Sequence, residues 1–341
     1  MANDTYLRQY LERFSKYKVA VIGDLMLDRY IIGKANRISE EAPVPVIKID
    51  HETKAMGGAA NVVANLIGLG SGASAFGFVG NDEHGDSLKG LMADAGAVTV
   101  GVIKHPSRTT AVKTRVMGNH QQVVRIDHED TSPYANQESY NELRSNIIET
   151  LQHRDCDAVI FEDYAKGLLN AEFIQELNDI ARQNNILTLL DPHPSNNFQT
   201  RNLGAITPNR AEAFGLSGIY QTPPALPLTE DKNLLQAAEK LLHGWGIDQL
   251  LITLGADGMA LFSRAEKQPV HIPTKAQAVY DVSGAGDTVT AAFLLGMLAG
   301  APPAEAASLA NHAAGIVVGK VGTLPVQAEE LSQNLELSYE E

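Results

Sequence analysis

Short, nearly uninterrupted apolar runs separated by stretches of helical spacing constrain this chain more than any other feature. The runs are Lys18–Gly23, Ala73–Val79, Ala158–Phe161, Ile186–Leu190, Ala205–Thr207 and Gln249–Thr253. A half-exposed strand would alternate apolar with polar residues, so runs this continuous belong to a parallel sheet covered on both faces. The segments Asn61–Leu69, Asn170–Asn184 and Asn233–His243 place apolar residues at helical intervals. The repeated strand–helix rhythm predicts an α/β, doubly wound fold.

Two stretches break the rhythm. Tyr30–Asp50 contains Ala42–Ile49, where alternation and proline predict extended chain at a sheet edge. Thr109–Asp127 reads as a hairpin, Thr110–Val116 and Gln122–Ile126 joined through Gly118-Asn119. Together these inserts, at about 30–50 and 109–127, are expected to form a small sheet over the substrate site. Pro223, Pro224 and Pro227 mark a surface loop rather than a boundary, so residues 1–341 are expected to form a single domain. The acidic end from Glu329 reads as a solvated tail or a final helix.

Charge and cysteine content narrow the function classes. With 41 acidic against 27 basic residues, the net charge of −14 opposes binding to nucleic acid or an anionic membrane. A few local cations and amides still suffice for an anionic small substrate. Cys156 has no second cysteine to pair with, which favours a reducing compartment. The N-terminal residues Met1–Arg8 lack the basic and apolar regions of a secretory signal. Ala291–Ala301 is too short and too glycine-interrupted to span a membrane and reads as a buried helix. A cytoplasmic location is expected. The histidines show no metal-ligand spacing.

The strongest local signal is Asp281-Val282-Ser283-Gly284-Ala285-Gly286-Asp287-Thr288, followed at once by the apolar stretch Val289–Leu298. Small residues before a helix let backbone N–H groups converge on an anion, where the helix dipole adds positive charge. Asp287 in the first turn can take a proton from a hydroxyl attacking a phosphoryl group. A tight turn with an aspartate at a helix start would look the same. Met56-Gly57-Gly58-Ala59-Ala60-Asn61 also opens a helix, and Asn61 can bond sugar hydroxyls.

Taken together, Gly57–Leu66 and Asp281–Asp287 resemble the two signatures of the ribokinase-like (PfkB) sugar kinases, in order and in separation. Thr207-Pro208-Asn209-Arg210-Ala211-Glu212 resembles that family's Asn-x-x-Glu element, and Thr253-Leu254-Gly255-Ala256-Asp257-Gly258 its nucleotide-site turn. The resemblance covers roughly residues 18 to 325 and implies a three-layer α/β/α sandwich with a small β-sheet lid. Gly23–Tyr30, Arg37–Val46, Asn119–Asp127 and Asp163–Gly167 further resemble the kinase part of bacterial heptose 7-phosphate kinases. One departure stands out: Asp191-Pro192-His193-Pro194 occurs where Asp-Pro-Lys is expected. In several bacteria that kinase is fused to an adenylyltransferase with a His-x-Gly-His motif; none occurs here, so a stand-alone kinase is expected.

The resemblance implies an ATP- and Mg²⁺-dependent kinase that phosphorylates the anomeric hydroxyl of a heptose 7-phosphate. Asp287 would be the general base in a catalytic turn with Gly284, Ala285 and Gly286, and the amides of Ala285, Gly286 and Asp287 would supply part of an anion hole. Asp24, Gly57, Gly58 and Asn61 would meet the sugar. Asp28 and Arg29, one turn further on, would bind substrate or pair with each other. Arg115 and Arg125 would face each other across the hairpin and grip the 7-phosphate, unless they are edge-strand charges that block aggregation. Lys166 would hold phosphate or neutralise charge during transfer. Asn209 and Glu212 would orient water around Mg²⁺, or form a helix capping box. Thr253, Gly255 and Gly258 would line the nucleotide site, with a monovalent cation near the anion hole left open. A homodimer through the lid is expected. Other PfkB sugar kinases, for fructose 6-phosphate or ribose, and a non-catalytic binding relative are the alternatives.

Overall fold

The apolar runs become strands, and the turns after them collect at one edge. The computed structural model describes residues 4–119, 121–131, 136–196, 200–266, 268–276 and 279–337. His120 of the hairpin and the last four residues of the acidic tail lie outside them. In chain order the strands are β1 (Lys18–Gly23), β2 (Leu25–Ile38), β3 (Pro45–Gly58), β4 (Gly72–Gly80), β5 (Val98–His105), β6 (Ala111–Gly118), β7 (Gln121–His128), β8 (Ala158–Glu162), β9 (Leu187–Asp191), β10 (Ala205–Ile206), β11 (Gln249–Thr253), β12 (Met259–Ser263) and β13 (Val270–Ile272).

They form a nine-stranded sheet ordered β13-β12-β11-β10-β9-β8-β1-β4-β5 and a four-stranded sheet ordered β3-β2-β6-β7. From β11 to β5 the large sheet is parallel. β12 and β13 add an antiparallel edge that the apolar runs do not predict.

Both faces of the large sheet are covered, which explains the continuous apolar strands. In β1, Val19 and Val21 join a core with the helices Ala59–Gly68, Ala285–Leu298 and Pro303–Val317. The alternate residues Ala20 and Ile22 join a second core with Gln137–His153, Ala171–Gln183 and Lys232–Trp245. The helix Ala285–Leu298 is buried continuously from Asp287 to Gly296, so its sequence shows no polar face. The acidic end forms a helix, Ala328–Leu337. No helix among the described residues is long and apolar enough to cross a membrane.

The small sheet is larger than the inserts suggest. β2 starts at Leu25, directly after Asp24, and β3 runs to Gly58, the residue before the helix Ala59–Gly68. The apolar Leu25-Met26-Leu27 reads as a continuation of β1, which hides the crossing between sheets. Asp28 and Arg29 therefore lie along a strand, not a turn on from Asp24. Neighbours on a strand point to opposite faces, and Arg29 pairs with Glu52 at 2.6 Å rather than with Asp28.

Candidate active site

Strand order reverses at β1: β4 and β5 extend the sheet on one side, β8 to β11 on the other. In open α/β sheets the crevice beyond the carboxyl ends at such a reversal receives ligands. Asp24 follows β1, Asp163 and Tyr164 follow β8, and Asp191 closes β9, so acidic and phenolic side chains gather there.

Asp287 reaches this crevice from the first turn of the helix Ala285–Leu298 and is 4 % exposed. Asn61 Nδ2 donates to its Oδ2 at 2.6 Å and the Tyr164 hydroxyl to its Oδ1 at 2.8 Å. Burial pushes the Asp287 carboxyl above its usual range, while these two donors hold it down. Asn65 supports Asn61 from one turn later, donating to its carbonyl at 2.9 Å, and accepts from Thr288 Oγ1 at 2.9 Å. The two glycine motifs, far apart in sequence, thus meet through Asn61 and Asp287. Gly284 has φ +78°, and a Cβ there would lie 2.6 Å from Asn61 Nδ2. Of the expected anion-hole amides, Ala285 N–H is already used by Val282 O at 3.2 Å. The amides of Gly286 and Asp287 remain at the helix start.

Asp28 is buried, accepts from Thr323 Oγ1 at 2.7 Å and lies 2.8 Å from Arg115 Nη1 as an ion pair. Gly57 sits directly against it: a Cβ would come 2.9 Å from Asp28 Cγ. Asp24 is also buried, but its Oδ2 accepts from the backbone amides of Tyr164 and Lys166, both at 3.0 Å. It clamps the loop that carries Tyr164, and burial raises its pKa to about 6. Arg115 and Arg125 do stand opposite each other in register, but Arg125 is engaged with Asp127 at 2.9 Å. Lys166 Nζ pairs with Glu129 at 2.7 Å.

Asn209 and Glu212 form a capping box on the helix Arg210–Ser217, with Asn209 N–H donating to Glu212 Oε2 at 2.7 Å. Glu212 also stands close enough to Asp191 to push that carboxyl up, after burial itself. Glu162, Asp191 and Asp287 bring carboxylate oxygens within 4.8 Å of one another. Glu162 is 1 % exposed, and its Oε2 has no hydrogen-bond partner among the described residues. Burial, then Asp191 and Asp287, drive its carboxyl well above the usual range. A buried set of hard oxygen donors with one atom unsatisfied fits a divalent cation such as Mg²⁺.

A cleft of about 300 Å³ opens beside the helix start, lined by Thr253, Gly255, Gly258, Ala285 and Gly286. The opposite wall comes from Thr274, Asn311, Ala314 and Val318, which carry no motif and were not identified from sequence. Tyr164 and Glu162 were missed as well. Glu162 ends a continuous apolar strand, where a lone carboxylate signals a site rather than a core residue.

Residues 16–329 match the model of the pfkB family of carbohydrate kinases. The chain belongs to the pfkB family. This pfkB chain is a phosphotransferase with an alcohol acceptor. It is 41 % identical over 325 residues to the bifunctional protein HldE of Desulfatibacillum aliphaticivorans, covering 95 % of this chain and 64 % of that one. It is 42 % identical over 323 residues to bifunctional protein HldE of Geobacter sulfurreducens, covering 94 % of this chain and 63 % of the other. This kinase chain thus spans under two thirds of the length of these relatives. Its fold is ribokinase-like. Phosphofructokinase-2 of Escherichia coli in complex with substrates and products superposes with TM-score 0.76 at 16 % identity, over 94 % of this chain and 99 % of that one. The ribokinase of Arabidopsis thaliana complexed with ribose and ATP gives TM-score 0.68 at 21 % identity, over 94 % and 99 %.

Proposed function

We propose that this kinase phosphorylates the anomeric hydroxyl of D-glycero-β-D-manno-heptose 7-phosphate, using MgATP, to the 1,7-bisphosphate. The product would feed ADP-heptose and lipopolysaccharide core synthesis in the cytoplasm. The observation that carries the chemistry is the buried Asp287 carboxylate, oriented by Asn61 and Tyr164 beside the apolar cleft. The sugar assignment is supported by the lid and loop phrases that resemble heptose 7-phosphate kinases.

In this mechanism the sugar lies against Asp28, Gly57, Gly58 and Asn61, with its hydroxyl on Asp287. The carboxylate accepts the hydroxyl proton as the oxygen attacks the γ-phosphorus, and such base assistance contributes about 10²- to 10⁴-fold. The amides of Gly286 and Asp287 face the phosphoryl oxygens as charge builds. The cleft between Thr253 and Val318 takes the nucleoside. Mg²⁺, when held by Glu162 and Asp191 and through water by Glu212, would neutralise phosphate charge. The lid's outer surface carries exposed Val124 and Ile126, which supports a homodimer through that sheet.

The test is ADP release with MgATP against heptose 7-phosphate, fructose 6-phosphate, ribose and adenosine, beside Asp287→Asn. Selective turnover of the heptose phosphate, reduced about 10²- to 10⁴-fold in the variant, is expected. Turnover of another sugar alone would discard the heptose assignment, and no phosphoryl transfer to any acceptor would favour a binding protein.

A further inference from the structure

Resting on the reading of the apolar cleft as the nucleoside site, we infer that Asp4 is a positioning residue for nucleotide binding: the N-terminal segment pins one wall of that cleft through Lys275. Residues 273–276, which follow β13, are neither helix nor strand, so no ladder of backbone bonds fixes them. Thr274 and Ala276 line the cleft, whereas Lys275 between them does not. Its Nζ instead reaches the Asp4 carboxylate at 2.8 Å. Asp4 is 8 % exposed, and the same Oδ2 accepts from His312 Nε2 at 3.0 Å. The N-terminal segment has an anchor of its own: Leu7 and Phe14 are fully buried, and Arg8 pairs with Glu336.

The helix Pro303–Val317 supplies the other contacts. Asn311, which lines the cleft, donates from Nδ2 to the Pro273 carbonyl at 2.6 Å, and its neighbour His312 is the second donor to Asp4. His312 Nδ1 lies 2.7 Å from Asn334 Oδ1 in the helix Ala328–Leu337. Gly258 and Gly315 let the wall come close. A Cβ would lie 2.6 Å from Thr274 N at the first and 3.2 Å from the Lys275 carbonyl at the second. Both glycines also line the cleft. The wall is thus held by close backbone packing, by Asn311 and by the Asp4–Lys275 pair.

Burial alone would raise the Asp4 carboxyl, but the bonds from Lys275 and His312 hold it below its usual range, so the pair is charge-assisted. A nucleoside entering the cleft needs residues 273–276 in one place, and ordering a loose segment on binding costs affinity. The pair meets that cost in advance, during folding. Neither Asp4 nor Lys275 lines the cleft, so their effect falls on nucleotide affinity and not on phosphoryl transfer.

ATP and ADP are titrated calorimetrically into the full chain, and KM for ATP is measured with the acceptor that turns over best. Asp4→Ala is expected to weaken both nucleotides about 3- to 10-fold and to raise KM for ATP alike, with kcat at saturating ATP and KM for the acceptor unchanged. Lys275→Met should do the same, and the double variant should be no weaker than either single one, since both break one contact. Arg8→Ala, which loosens the same segment from Glu336, should leave ATP binding unchanged. Unchanged or tighter ATP binding in Asp4→Ala, additive losses in the double variant, a fall in kcat, or an equal loss in Arg8→Ala would overturn the positioning role. Ala314→Leu, which fills the cleft, separates that result from failure of the cleft reading. ATP binding intact in Ala314→Leu would overturn both. Binding lost there but kept in Asp4→Ala would overturn the role of Asp4 alone.

Discussion

Tyr164 is the residue whose importance the local sequence least suggests. A tyrosine between an aspartate and an alanine after a strand looks like ordinary surface packing, yet its hydroxyl is 2.8 Å from the base. Its bond favours the ionised carboxylate and opposes the burial that raises the Asp287 pKa. Removing it in Tyr164→Phe therefore leaves burial and the neighbouring negative charges less opposed, and the Asp287 pKa rises. A base that must be ionised then fails at higher pH than before. The acid limb of a kcat/KM profile should move upward, with roughly 10-fold lower activity near neutrality, as expected for one hydrogen bond to a charged group. The groups whose charge bears on that profile are Asp28, Lys113, Glu162, Asp191 and Asp287 itself. A profile that keeps its shape while falling in height would show that Tyr164 acts only by packing. Asp24 differs in kind: its Oδ2 holds two backbone amides and so shapes the loop, while its buried Oδ1 meets no hydrogen-bond partner among the described residues.

At the scale of elements, the turn before Ala285–Leu298 and the helix Ala59–Gly68 must be read as one device. Gly284 has φ +78° and packs on Asn61, so its lack of a side chain serves both backbone and contact. Gly284→Ala should cost about 1–2 kcal/mol for the left-handed backbone alone. Its Cβ would also displace Asn61 from Asp287. The expected result is a lowered kcat beyond what the loss of stability explains, measured at a temperature where the variant remains folded. The capping box of Asn209 and Glu212 shows how one element can satisfy two readings. Glu212 caps the helix start with Oε2, yet its charge still acts on Asp191.

At the scale of the whole molecule, the small sheet follows the large one directly at Asp24, between β1 and β2, and runs into the helix Ala59–Gly68 at Gly58. It is anchored by the contacts of Asp28 and Tyr30 with Thr323. Its outer surface leaves Ile126 53 % exposed and Val124 46 % exposed. If subunits pair there, Ile126→Asp should shift the chain from dimer to monomer on size-exclusion chromatography with light scattering. An unchanged mass would place the dimer contact elsewhere or show that the lid stands alone.

The sequence alone determined the parts that depend on neighbours along the chain. Continuous apolar strands meant a sheet covered on both faces, and glycines before helices meant turns with free amides. Pairing the two glycine motifs through a family resemblance identified Asp287 and Asn61 before their contact was visible. Only the tertiary structure decided which side chains share a crevice. Asp24 holds the loop of Tyr164 because β8 lies next to β1, and Glu162 joins Asp191 because β8 pairs with β9. It also separated Asp28 from Arg29, since a strand turns adjacent residues to opposite faces where a helical turn would not. Arg115, Arg125 and Lys113 read alike as basic residues on a hairpin. Arg125 pairs locally with Asp127, but the partners of Arg115 and Lys113 come from β2 and from the loop after β8, and long-range partners of that kind are set by packing rather than by spacing along the chain.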